Sequence, residues 1–309
     1  MQTVLITGGT GLIGKAITTL LTNKGYHVIL LTRKAPKEKS DAPNIDFALW
    51  DIKKRTIDIS ALQKADHVIH LAGAGVVDKK WTAAYKKEIL ESRTESSKLL
   101  ITTLKNNSNK VKTIVSASAI GWYGEDAVKD GKVFVETDAA ATGFLGETCR
   151  LWEQSISQFE APGKRLVKLR TGIVLSNNGG ALAAFKKPII FGVAGILGNG
   201  KQVVSWIHID DLCRMYIVAI ENDLLSGVYN AVAPEPVTNK TLTIELANTM
   251  KGKFYIPLHV PVFILKIMLG ERSLEVLRST TVSCTKIQQT GFIFLYPTIK
   301  TALKQLCSK

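Results

Sequence analysis

The segment Thr7-Gly8-Gly9-Thr10-Gly11-Leu12-Ile13-Gly14 constrains the fold of this chain more than any other. It satisfies G-x-G-x-x-G through Gly9, Gly11 and Gly14, and G-x-x-G-x-x-G through Gly8, Gly11 and Gly14. An apolar, β-branched run from Thr3 to Thr7 precedes it. Leu12, Ile13, Ala16, Ile17, Leu20 and Leu21 follow at helical spacing until Gly25 stops the helix. A strand, a glycine turn and a helix in that order open a βαβ unit and give the motif its meaning. Missing side chains let the backbone approach a pyrophosphate, and the N–H groups and positive helix end at residues 11 to 13 stabilise it. The loop is therefore expected to bind a dinucleotide through Gly8, Thr10, Gly11, Leu12, Ile13 and Gly14.

The alternation continues. Val28 to Leu31, Phe47 to Trp50, His67 to Leu71, Thr113 to Val115 and Leu166 to Leu169 read as buried strands, with helical patterns at about 81 to 105 and 144 to 160. Such repetition implies an α/β fold, a Rossmann-type doubly wound parallel sheet. After about residue 175 glycine and asparagine punctuate 177 to 200, a strand and helix pass through 203 to 221, and short helices and prolines follow from Pro234. The expected division is a dinucleotide-binding domain over 1–233, with 176–202 contributing a flap to the cleft, and a small C-terminal substrate lobe over 234–309.

The end of the second strand selects the dinucleotide. An acid there would take the adenosine ribose 2′-hydroxyl. This chain instead has Thr32-Arg33-Lys34, with no acid until Glu38. A guanidinium suits a 2′-phosphate, so the expected cofactor is NADP(H) with Arg33 as discriminator.

Forty Lys and Arg against twenty-six Asp and Glu give a formal charge of +14. The cations occur as scattered pairs and short runs without aromatic interleaving, so neither a nucleic-acid nor a membrane partner is expected. The four cysteines are scattered, the start reads directly into a strand, and no apolar stretch is long enough to span a bilayer, which points to a soluble cytoplasmic protein. The five histidines show no metal-ligand spacing. Gly195 to Gln202 approaches a phosphate-binding P-loop, but Gln202 cannot supply the hydroxyl for magnesium, and Val203-Val204 continues as a strand.

The sequence resembles the extended short-chain dehydrogenase/reductase superfamily and, within it, the atypical epimerase family with a C-terminal domain of unknown function. Besides the glycine loop, the resemblance rests on Leu71-Ala72-Gly73, Trp81-Thr82, Ser92-Arg93 and Ser118-Ala119-Ile120-Gly121-Trp122-Tyr123-Gly124. It extends through Arg170 to Leu175, Ser205 to Leu212, Ala233 to Asn239 and Gly291-Phe292. It implies that Thr32 and Arg33 meet the adenosine end of the cofactor and that Leu71, Ala72 and Gly73 line it. It also implies that Glu88 and Arg93 reach it from the next helix and that Val174 sits near the nicotinamide. In that helix Ser92 and Ser96 interrupt an apolar face, a polar notch that reads more easily beside a ligand than in a dry core.

The superfamily normally works through Tyr-x-x-x-Lys. The helix expected to carry this pair reads Phe144 to Glu153 and lacks it, while Tyr296 and Lys300 stand across Pro297 in the C-terminal part. Ser118, as a hydrogen-bond partner for a substrate oxygen, and Tyr123, as a proton donor, are the candidate catalytic residues. Tyr123 reads equally as a half-buried loop aromatic. His208 reads as a packed residue at a strand end, and Asp210 or Asp211 as the cap of the following helix. The expected function is NADP(H)-dependent oxidation–reduction or epimerisation at a carbonyl or hydroxyl of a small, sugar-like substrate. The alternative is an NADP(H)-binding sensor without chemistry.

Overall fold

The computed structural model describes residues 1–34, 44–126, 133–160 and 164–308, so Glu38 lies outside the described residues. The first half runs β1 (Thr3–Thr7), α1 (Leu12–Asn23), β2 (His27–Thr32), β3 (Ile45–Asp51), β4 (Thr56–Ile57), α2 (Ile59–Lys64), β5 (His67–His70), α3 (Ala83–Asn106), β6 (Thr113–Ala119), α4 (Phe144–Ser157) and β7 (Arg165–Thr171). The second runs β8 (Ile173–Ser176), α5 (Gly180–Ile190), β9 (Val193–Leu197), β10 (Val203–Val204), β11 (Trp206–His208), α6 (Ile209–Glu221) and β12 (Gly227–Ala231). It ends with β13 (Val237–Thr238), α7 (Asn239–Lys251), β14 (Ile256–Val260), α8 (Val262–Leu269), α9 (Ser273–Leu277), α10 (Thr285–Gln288) and α11 (Ile299–Cys307).

Eight strands form one sheet in the order β12-β7-β6-β5-β1-β2-β3-β4, parallel throughout except for β4. The chain leaves β1 in one direction towards β2 and returns on the other side at β5. That reversal opens a crevice at the carboxyl ends of the central strands, where ligands of doubly wound sheets bind. The strand interiors are apolar because helices cover both faces. Val4 and Ile6 pack towards α1 and α6, and Leu5 and Val68 towards α2 and α3. Each such side chain, fully removed from water, contributes about 1.5–3 kcal/mol. No helix among the described residues is long and apolar enough to cross a membrane.

The cores do not follow a boundary at residue 233. A third core joins Leu175, Leu182, Ile189 and Ala194 to Leu242, Leu246 and Leu303, on both sides of that position. Conversely, Val282, Ile287, Phe292 and Phe294 fill the core on the α1/α6 face of the sheet. Within the segment expected as a flap, 176–202, the chain forms α5 and β9, and Gly180 at the start of α5 meets Leu12 of the glycine loop. Leu197 N–H donates to Asn239 Oδ1 at 2.9 Å, and the buried Gln202 donates through Nε2 to Leu197 O at 3.1 Å. A glycine-rich composition read as freedom here reflects tight turns, with Gly198 and Gly200 at φ of +59° and +72°.

Candidate functional site

The glycine loop sits at the crevice with its geometry dictated by contact. A Cβ at Gly14 would lie 2.5 Å from Gly8 O, one at Gly9 2.5 Å from Leu30 Cδ2, and one at Gly8 2.9 Å from Leu71 O. The loop is thus pressed between α1, β2 and the end of β5, and only glycine fits. The N-cap of α1 is Gly11, which offers no side chain, whereas Asp58 caps α2 and Thr82 caps α3. The first turn of α1 also carries no acid. Its positive end is therefore left for an anion. Thr10 and Gly11 are exposed, and Leu12 reaches across to Gly180, where a Cβ would lie 3.1 Å from Leu12 Cδ2.

Beneath the loop runs a buried polar thread. Thr7 Oγ1 accepts from Leu71 N–H and Ala72 N–H at 3.1 and 3.2 Å and meets His70 Nδ1 at 2.8 Å. With its lone pairs so engaged, the Thr7 hydroxyl donates to Nδ1. The imidazole then carries its proton on Nε2, which faces Ser97 Oγ at 3.1 Å, and Ser97 donates to Arg93 O at 2.8 Å. Burial pulls the His70 pKa down to about 4, so the ring is neutral. The thread fixes Leu71 and Ala72 at the crevice floor. It also accounts for the hydroxyls of α3. Ser96 and Ser97 face His70, and Ser92 accepts from Ala74 N–H at 2.9 Å, so the polar notch is filled by the protein itself.

Arg93 differs from the other cations of α3. It is largely buried, packs against Gly73, lies 5.0 Å from the Trp152 ring centroid and donates to Ile89 O at 2.8 Å. Burial lowers its pKa, and no carboxylate among the described residues pairs with it. Glu88 is exposed and pairs with Lys79 at 3.3 Å. Thr32 and the exposed Arg33 stand at the end of β2, with Thr32 Oγ1 donating to Lys34 O at 2.9 Å. Val174 lies half-buried in β8 beside β11.

The two candidate catalytic side chains lie elsewhere in their chemistry. Ser118, 3% exposed, donates to Glu153 Oε1 at 2.6 Å. Glu153 takes a two-pronged contact from Arg170, Nε to Oε1 at 2.8 Å and a terminal nitrogen to Oε2 at 3.0 Å. Arg170 continues to Tyr123 Oη at 3.0 Å, and Tyr123 donates to Asn230 Oδ1 at 2.6 Å. Tyr123 is 3% exposed, stacks on Phe134, and is pushed by burial up to about 12 despite Arg170. A phenol so held does not offer its proton to a ligand. The expected proton donor is therefore a structural member of a buried network. Burial opposes the charge on Arg170, but Glu153 holds its pKa above the usual value.

The α4 face towards the loop after β6 is apolar. A Cβ at Gly121 would lie 3.3 Å from Leu145 Cβ and 3.7 Å from Cys149 Sγ, and burial pushes the Cys149 thiol up to about 12. Neither group transfers protons near neutrality. His208 is likewise structural: its Nδ1 accepts from Asp210 N–H at 3.1 Å, its Nε2 meets Gln305 Oε1 at 2.9 Å, and Tyr296 lies against the ring. His208, not Asp210 or Asp211, caps α6. The buried Asp211 accepts instead from Leu295 N–H and Tyr296 N–H at 2.8 and 2.9 Å.

The second lobe closes one end of the crevice. Arg272 donates to Val77 O at 2.6 Å, and Glu271 pairs with Lys86. Trp81 and Phe144 meet edge to face at 5.1 Å between centroids. Among the described residues no group of three or more His, Cys, Asp or Glu is placed to hold a metal. Sequence reasoning missed His70, Glu153, Arg170 and Asn230. Their signal was polarity at strand and helix positions otherwise apolar, such as Arg170 within Leu166 to Val174.

The NAD dependent epimerase/dehydratase family profile matches residues 4–144, and that of a domain of unknown function, DUF1731, matches residues 260–306. An epimerase family protein of Staphylococcus saprophyticus is 36% identical over 99% of both chains, and one from Staphylococcus aureus is 35% identical over the full length of both. The crystal structure of the human epimerase family protein SDR39U1 with NADPH superposes with a TM-score of 0.87 at 27% identity, covering 99% of each chain. That of a nucleoside-diphosphate sugar epimerase from Corynebacterium glutamicum gives 0.77 at 33% identity, covering 99% of this chain and 58% of the other.

Proposed function

The chain belongs to the epimerase family of NAD-dependent epimerase/dehydratase proteins, and from that premise we propose that it binds NADP(H) and exchanges hydride with a carbonyl or hydroxyl-bearing carbon of a small, sugar-like substrate. The observation that carries the reading is the glycine cradle: Gly8, Gly9 and Gly14 leave no room for a Cβ, and the α1 terminus above them has no capping side chain. NADPH in the human relative and the sugar-nucleotide label of the Corynebacterium protein are consistent with it.

In this reading Gly8, Thr10, Gly11, Leu12, Ile13 and Gly14 hold the pyrophosphate, Arg33 with Thr32 takes the 2′-phosphate, and Leu71, Ala72 and Gly73 support the adjoining ribose. Arg93 supplies an unpaired cation over Gly73, with Glu88 at the rim and Val174 towards the nicotinamide. When bound, the cofactor supplies or accepts hydride at a carbon held in the crevice between the lobes. Ser118, its proton directed at Glu153 Oε1, is left as an acceptor for a substrate hydroxyl, not a donor to a carbonyl. With Leu145 and Cys149 on the facing helix, the accompanying proton is exchanged with water. The division of labour assigns the dinucleotide to the sheet unit and the substrate to the lobe built from residues after 175.

A second reading, NADP(H) binding without turnover, is favoured by one observation: the α4 side chains at Gly121 are Leu145 and Cys149, and the acid further along that face, Glu153, is held by Arg170. One series separates them. Wild type should bind NADPH more tightly than NADH, and Arg33→Ala should lose about tenfold for NADPH only, in line with one charge-assisted contact; tighter NADH binding by wild type would overturn the assignment. NADPH oxidation across a library of aldehydes, ketones and keto sugars then supports hydride transfer, and binding with no turnover supports the second reading.

A further inference from the structure

We propose that the outer face of the ribbon formed by β9 and β14, together with α8, docks this protein on an anionic lipid surface. The inference is independent of the nucleotide reading. Parallel strands are normally covered on both faces, and here β14 is left exposed beside a half-buried β9. Ala194 belongs to the third core and Ile196, two residues on, is buried. The alternate positions Val193 and Leu197 therefore point the other way, and the register places Ile256 beside Val193, Leu258 beside Gly195 and Val260 beside Leu197 on that same outward face. Ile256 and Leu258 are 69% and 56% exposed.

The apolar surface extends beyond both ends of the ribbon. Gly192 O accepts from Ile256 N–H, which puts Phe191 and Phe254 beside its start, 85% and 87% exposed. At its other end α8 follows Pro261. It buries Leu265 and presents Phe263, Ile267 and Met268, at 63%, 76% and 64%, to solvent. Isolated exposed apolar residues need no explanation, but a contiguous face of phenylalanine, isoleucine and leucine does.

Charge identifies the occupant. The chain has no Asp or Glu between Glu160 and Asp210, and none between Glu245 and Glu271, and these two stretches build the face. Lys266 lies in α8, and Lys187, Lys251 and Lys253 lie within four residues of Phe191 or Phe254 in the chain. A second copy would bring these lysines against their own kind. An anionic bilayer accepts both features, the aromatic and aliphatic tips entering the acyl boundary and the ammonium groups meeting headgroups. No helix is required to span it.

The test is co-sedimentation of the full chain with phosphatidylcholine vesicles containing or lacking phosphatidylglycerol. Binding to the anionic vesicles should exceed that to neutral ones at least about tenfold and weaken with salt, since each lysine near the surface strengthens binding about fivefold. Phe191→Glu with Phe254→Glu should abolish it while NADPH affinity and the thermal midpoint stay at wild-type values, because both rings are solvent-exposed. No anionic-vesicle binding, or binding indifferent to the double variant, overturns the proposal. So does a sedimenting dimer that the double variant dissolves, because a second copy would then cover the face.

Discussion

The two sides of the crevice use polar groups in opposite ways. On the glycine-loop side, the α1 terminus lacks a capping side chain and Arg93 has no carboxylate partner among the described residues. On the β6/α4 side every member of the set Ser118, Glu153, Arg170, Tyr123 and Asn230 is hydrogen-bonded to another. Unspent hydrogen-bonding capacity marks a place kept for a ligand, and spent capacity marks a joint of the fold. Tyr123 has the residue type of catalysis but the environment of the second kind.

The comparison breaks most readily at Glu153. Glu153→Gln leaves Arg170 buried without its counter-charge and should cost about 3–5 kcal/mol in urea unfolding; a loss below about 1 kcal/mol would mean that the network is not a joint. His70 gives the next largest effect. Its folded pKa of about 4 lies below the unfolded value of about 6.5, so the unfolded chain binds a proton that the fold rejects. Stability should be complete above pH 6.5 and fall by about 3 kcal/mol as pH drops to 4, and His70→Asn should remove that slope. Tyr123→Phe leaves the Asn230 acceptor unmet and should cost about 1–3 kcal/mol without changing turnover per folded molecule; a selective loss of kcat would restore the catalytic reading. Arg93→Met sharpens the other side: stability should hold within about 1 kcal/mol, since a buried unpaired charge is removed, while NADPH affinity falls about tenfold by titration.

What was legible in the sequence follows from the range of the forces involved. Strands β1, β2, β5, β6 and β7 were readable because burial on both faces favours apolar runs, β3 from its apolar Phe47 to Trp50 although Leu49 is exposed, and the glycine loop because its constraint is local. Strand β12 was not, since Asn230, fully buried, occupies its middle for the sake of Tyr123 and Ser283, both distant in sequence. The same reason defeated the serines of α3. A hydroxyl on a helix face looks unsatisfied until a histidine from another strand arrives opposite it. His208 capping α6 is a third case, because a side chain two positions ahead of the first of two acids took the role their residue type advertises.

The placement of Val282, Ile287, Phe292 and Phe294 against the sheet has a consequence for how the molecule is made. A ribosome delivers β1 to β7 long before these four side chains exist. The α1/α6 side of the nascent sheet therefore waits with an open seam until residues 282–294 emerge. Contacts of such long sequence separation form late and slowly, so the first sheet depends on residues 282–294 for its closure, and is most exposed to aggregation before they emerge.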